Sequence, residues 1–184
     1  MRGDIRNYWI DIKSDFKFLR GENPSFKKIV SAYIFNPGFK ASSILRLQMF
    51  VCNRGWHRLA QILSNYNLMK TGAEFCVGVR IGSPFLIRHP SGIVVGGGVV
   101  IGDFCTMLQG VTVGRVDLSD KSASKDPKIG SYVIFGAYSA ALGDIIIVDN
   151  TIIGAHSVLL ESALNQGTYV GTPAKLLNRM SIDE

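Results

Sequence analysis

At 184 residues the chain is large enough to bury a core in one main domain with an appendage, and it needs no covalent staples. Cys52, Cys76 and Cys105 lack CxxC spacing, no charged-then-apolar leader opens the sequence, and no apolar run approaches the roughly 18 residues of a membrane span. The expectation is a cytoplasmic protein in a reducing setting, without a membrane span and with peripheral membrane contact as the most that is allowed.

Charge is divided unevenly. Residues 1–70 hold twelve Lys and Arg against four Asp and Glu, a net of +8, while residues 71–184 hold eight against ten, a net of −2. The basic charges are scattered and no nucleic-acid motif accompanies them, so they read as a solvated helical surface with no nucleic-acid partner.

Residues 1–70 read as an α-helical capping domain. Ile5, Trp9, Ile12 and Phe16 recur at helical spacing, and Asn23-Pro24-Ser25 marks a break and restart. A second break at Asn36-Pro37-Gly38 precedes an amphipathic stretch with Ala41, Ile44, Leu45, Leu47, Phe50 and Val51, ending near Asn53-Arg54-Gly55. A further helix is expected from Trp56 to about Tyr66.

From 71 to 170 a six-residue period takes over. Val77, Val95, Ile101, Met107 and Val113 share one grid, and Ile129, Phe135, Ala141, Ile147, Ile153 and Leu159 share a second, four positions out of phase. Such hexads read as a stacked β-helix with eighteen residues per triangular turn and one inward aliphatic side chain per corner. The small residues Ser139, Thr151 and Ser157 and the glycines after the grid positions allow sharp turns. The polar stretch at about 115–128 has no apolar period and is expected to be an extruded loop; long loops of this kind are often functional. Residues 171–184 form a tail that closes the far end, while the helices cover the near one, since stacked repeats need capping units.

Few residues offer chemistry. His57 and His156 read as ordinary surface or packing residues. His89, in Ile87-Arg88-His89-Pro90-Ser91-Gly92, stands on a grid position where an aliphatic residue is expected. Glu74, the only carboxylate between Glu22 and Asp103, lies fifteen residues earlier, close to one coil, so adjacent coils could bring the two together. A carboxylate on one imidazole nitrogen fixes the tautomer and leaves the other to take a proton from a hydroxyl. No metal is expected, because the histidines and cysteines lack ligand spacing. Ala137, Ala155 and Pro173 follow at eighteen-residue steps, which would stack them in one column of small residues with open backbone; Lys175 could meet an anionic group, and Gly114 marks the coil edge.

At these residues the chain resembles the serine acetyltransferase group of hexapeptide-repeat acyltransferases, including short relatives of the colanic-acid type that modify capsule and exopolysaccharide sugars. The matching stretches are Asn36 to Ala41, His89 to Val95, Leu108 to Gly114, Pro127 to Gly130 and Gly171 to Lys175. The resemblance implies a left-handed parallel β-helix, a homotrimer with active sites between neighbouring prisms, and acetyl-CoA as donor. It also places the catalytic histidine on His89 and its partner acid on Glu74, where the family usually has Asp.

Three positions depart from the family. Acids and an imidazole associated with gripping the amino acid are replaced by Arg88, Asn23 and Asp126. This change of charge leads to the expectation of an O-acetyltransferase acting on a saccharide hydroxyl, with direct transfer in a ternary complex. His89 is then the base, and Arg88, Lys125, Asp126 and Asn23 shape the acceptor site. Gly114, Ala137, Ala155 and Lys175 hold the donor. The alternatives are serine O-acetylation for cysteine biosynthesis and a non-catalytic β-helix scaffold.

Overall fold

The computed structural model describes residues 5–116 and 125–177. Most of the expected loop, 117–124, and the end of the expected tail, 178–184, therefore lie outside the described residues.

Four helices come first. Helix α1 (Ile5–Arg20) and α2 (Phe26–Phe35) are separated by the Asn23-Pro24 break, and Ser25 caps α2 by accepting from the Lys28 N–H at 3.4 Å. Asn36 caps α3 (Pro37–Asn53), its Oδ1 accepting from Phe39 N–H at 2.8 Å, with Pro37 in the first turn where its missing N–H costs nothing. Helix α4 (His57–Thr71) runs past the expected end at Tyr66 because the left-handed cap that stops it, Gly72 at φ +78°, comes only there.

The rest is a three-sided parallel β-helix. One side is a sheet of β1 (Glu74–Phe75), β4 (Val94–Val95), β7 (Thr112–Gly114), β10 (Ala140–Leu142) and β13 (Val158–Leu159). The second side holds β2 (Arg80–Ile81), β5 (Val100–Ile101), β8 (Lys128–Ile129) and β11 (Ile146–Ile147). The third holds β3 (Phe85–Ile87), β6 (Cys105–Met107), β9 (Ile134–Phe135), β12 (Thr151–Ile153), β14 (Gly167–Gly171) and β15 (Ala174–Leu176). All pairings are parallel except β14 with β15.

The interior residues stand on the strands, not at the corners. Val95, Ile101, Met107, Val113 and all six residues of the second grid are buried, as are Ser139, Thr151 and Ser157. The last three turn inward without loss because each hydroxyl donates to a turn carbonyl, Ser139 to Gly136 and Thr151 to Val148 at 2.8 Å and Ser157 to Ala155 at 3.4 Å. Burial pushes the Cys105 thiol up to about 11, in keeping with a packing role.

Register shows where the winding departs from eighteen. Val95 pairs with Val113 eighteen residues on, but Phe75 pairs with Val95 and Ile87 with Met107 at twenty. The interior positions of the first coil are therefore Phe75, Ile81 and Ile87, and Val77 is only half-buried. This corrects the reading of His89: it does not replace an interior aliphatic residue, but lies in a two-residue insertion at the corner between β3 and β4, exposed to solvent. Between Val113 and Ile129 the insertion is ten residues, and it includes the loop. Past β12 the step shortens to sixteen, Ile153 pairing with Tyr169. Pro173 therefore does not continue the column of Ala137 and Ala155; Gly171 is one step beyond Ala155, and the chain reverses there into β15.

The helices satisfy the open edge of the first coil, where unpaired backbone groups would otherwise be buried. Arg46 donates to the Ile81 and Gly82 carbonyls at 2.8 and 2.7 Å, Gln48 and Ser64 both donate to Phe75 O at 2.7 Å, and Asp15 accepts from Phe85 N–H at 2.8 Å. Asp15 and Arg46 are themselves a buried bidentate pair, at 2.9 and 3.0 Å.

Candidate functional site

The corner carrying His89 is held from both directions. Arg88 N–H donates to Met107 O at 3.0 Å and Gly110 N–H to Ser91 O at 2.9 Å on the coil beyond, while Gly92 N–H donates to Gly72 O at 2.9 Å toward the helices. Two helix ends press on it. At the start of α3, Gly38 lies so close to Ile87 that a Cβ there would overlap the carbonyl oxygen and sit 2.9 Å from its carbon. At the end of α4, a Cβ on Gly72 would be 3.2 Å from Ser91 Cα. Backbone on either side of His89 is thus pinned, and the two extra residues push the imidazole out from the prism. This is how a fixed scaffold presents an accessible base.

Glu74 is half-buried on β1, paired in register with Val94, five residues past His89. Glu74 thus lies on the side of the prism that the His89 corner leads into. Among the described residues no hydrogen bond or ion pair links them. Burial, and after it the Glu74 carboxylate, push the neighbouring Cys76 thiol above its ordinary value, which marks Cys76 as a poor nucleophile at neutral pH.

Along this same side runs a cleft of about 650 Å³, lined by Cys76, Val94, Gly96, Gly97, Gly98, Thr112, Gly114, Arg115, Asp126 and Leu142. Gly114 has open space where a side chain would be. Asp126 is buried, and its carboxylate takes Arg115: Nε at 3.3 Å and Nη2 in a still closer ion pair. A Cβ on Gly98 would collide with that carboxylate, so the glycine makes the room for it. Asp126, expected to shape the acceptor site, thus pairs with Arg115, a residue for which the sequence suggested no role. A second cleft, of about 530 Å³ over Lys128, Ile146 and Asp149, lies on another side of the prism and offers no base.

The other expected site residues are dispersed. Arg88 is exposed beside His89, Lys125 is exposed beside Asp126, and Asn23 is exposed in the turn between α1 and α2. Ala137 and Ala155 do stack, His156 N–H donating to Ala137 O at 2.9 Å. Lys175 on β15 is exposed and meets Glu161 at 3.4 Å. Among the described residues no group of three His, Cys, Asp or Glu side chains could hold a metal ion, and no helix is long and apolar enough to cross a membrane.

No family model matches the chain. Individual proteins do. Serine acetyltransferase of Synechococcus elongatus is 29% identical over 171 residues, covering 93% of this chain and 69% of that protein. That of Staphylococcus epidermidis is 30% identical over 170 residues, covering 91% of this chain and 78% of the relative. The Salmonella typhimurium enzyme, also 30% identical, is longer, and the chain spans 62% of it. Among solved structures, Neisseria gonorrhoeae serine acetyltransferase in complex with serine superposes with a TM-score of 0.82 at 29% identity, over 92% of this chain and 69% of that one. The Brucella abortus enzyme in complex with coenzyme A superposes at 0.84 with 26% identity, over 94% and 68%.

These likenesses overturn the saccharide acceptor, and with it a role in polysaccharide biosynthesis and a place among the colanic-acid-type enzymes: the relatives are serine acetyltransferases. Arg88, a cation beside His89, repels the ammonium of a zwitterion but attracts the carboxylate on the same molecule, and Asp126 is paired with Arg115.

Proposed function

This chain belongs to the serine acetyltransferase family, and from that premise we propose that it transfers the acetyl group of acetyl-CoA to the side-chain hydroxyl of serine. It is an acetyl-CoA-dependent acyltransferase; the acceptor and the residue roles are our reading. The observation that carries it is the two-residue corner insertion, which leaves His89 exposed at the corner that opens the side of the prism bearing Glu74 and the cleft.

In this reading His89 removes the proton from the serine hydroxyl as its oxygen attacks the thioester carbonyl. Backbone N–H groups of the neighbouring coil stabilise the oxyanion. Collapse breaks the C–S bond, and the CoA sulfur leaves and takes up the proton that His89 holds, giving O-acetylserine and CoA. Glu74 orients the imidazole and balances its charge. Arg88 meets the serine carboxylate, a charge-assisted contact suited to a guanidinium. Gly114 lets the thioester pass the coil edge, Ala137 and Ala155 leave the backbone open to the pantetheine arm, and Lys175 meets a phosphate. The working form is a homotrimer whose neighbouring prisms close the site.

The deciding assay is CoA release with L-serine and acetyl-CoA. Saturable turnover, with O-acetylserine as product, is expected; a protein that binds acetyl-CoA but leaves serine unmodified overturns the assignment.

A further inference from the structure

The corner that carries His89 continues down the prism. In the next coils its left-handed position is filled by Gly92 (φ +74°) and Gly110 (φ +69°), then by Tyr138 (φ +57°) and His156 (φ +56°). Glycine takes that conformation freely, whereas for a bulky ring it is a strained choice that persists only where something is gained. The Tyr138 and His156 rings stack, centroids 5.2 Å apart and planes 14° from parallel. Gly110 makes room for them: a Cβ there would lie 2.6 Å from Tyr138 Cε1.

Packing explains a similar pair elsewhere. Phe104 and Tyr132, at φ +58° and +59°, stack at 4.6 Å on another corner, and Phe18 of α1 covers them edge-on at 5.8 Å. Those rings seat the helices against the prism. The Tyr138–His156 pair has no third ring against it among the described residues; Tyr138 lies between Gly110 and His156, and His156, the outer ring of the pair, is exposed.

We propose that Tyr138 and His156 form a stacking platform for the adenine base of the acetyl donor. The inference rests on the reading of this chain as an acetyl-CoA-dependent enzyme whose donor lies along Ala137 and Ala155, the residues that immediately precede the two rings. Three coil steps separate the His89 corner from His156, about 14 Å at the usual strand spacing, so the platform lies along the prism from the base and not beside it. Thr172 binds the His156 carbonyl through its hydroxyl at 3.3 Å, which brings the β14–β15 turn beside the platform. A purine stacked on the exposed His156 ring uses the same chemistry as base-stacking surfaces in nucleic-acid proteins.

The test compares two donors in the Tyr138→Gly/His156→Gly variant. Glycine accepts both backbone conformations, so the corner folds. The KM for acetyl-CoA is expected to rise roughly 5- to 100-fold, the range for losing one stacked base, and far more than the KM for acetyl-pantetheine, which has no adenosine. An equal effect on both donors, or no effect on acetyl-CoA, overturns the platform. If the wild type uses neither donor, the functional reading itself fails; calorimetric titration of wild type and variant with CoA then decides the platform separately, and equal affinities overturn it.

Discussion

At the scale of single residues, the site depends on two kinds of side chain, one that acts and one that is absent. His89→Ala is expected to lower serine turnover by roughly 10²–10⁴-fold, the contribution of a positioned general base, with CoA affinity little changed. Glu74→Gln should cost less, because an imidazole remains. Near-normal turnover in the histidine variant would remove it from the mechanism. Gly38 matters through its missing side chain. Gly38→Ala forces a methyl into the Ile87 carbonyl, two residues before His89, so kcat should fall by about 10- to 100-fold for a displacement near 1 Å while CoA still binds; unchanged kcat would show that the contact relaxes without moving the base. His89 stood out in the sequence for a reason that the fold does not support. Val77 fits the apolar grid by type, so the pattern could not reveal that the interior of the first coil starts at Phe75, two residues earlier.

At the scale of elements, the helices and the first coil are one unit joined by polar contacts. Arg46 is the hinge of that joint, since it serves Asp15 and two edge carbonyls at once. Burial holds the Asp15 carboxyl above its ordinary range, and the Arg46 guanidinium opposes that rise. A raised acid favours the folded state while it is protonated and loses that advantage as pH climbs from the unfolded value through the folded one. Arg46→Met deletes the opposing charge, so Asp15 rises further and the deficit of the variant should widen as pH climbs above the ordinary aspartate range, reaching roughly 3–5 kcal/mol, the usual cost of breaking a buried pair. Urea unfolding at several pH values measures it; a deficit independent of pH would mean that Asp15 does not ionise in the folded protein. The helix boundaries and their caps could be read from Ser25, Asn36 and Pro37. This joint could not, because its partners lie 31 to 70 residues apart and nothing local marks a side chain that will meet a sheet edge.

At the scale of the whole molecule, the winding was plain from the hexads, because each strand contributes its own period, whereas the acceptor was not. Selectivity depends on the summed charge around a pocket, and that sum changes when a distant residue such as Arg115 cancels Asp126. It also depends on what closes the cleft, which in one chain is open along the side of the prism. Ile134, Ile152 and Val170 leave an apolar stripe, each more than a third exposed, on the six-stranded side, a surface suited to packing against another prism. We expect activity to require the trimer. On dilution, turnover per chain should fall over the same concentration range in which light scattering reports loss of the trimer, and Ile152→Lys should shift both curves together to higher concentration. Full turnover from a species with the mass of one chain would show that each prism carries a complete site.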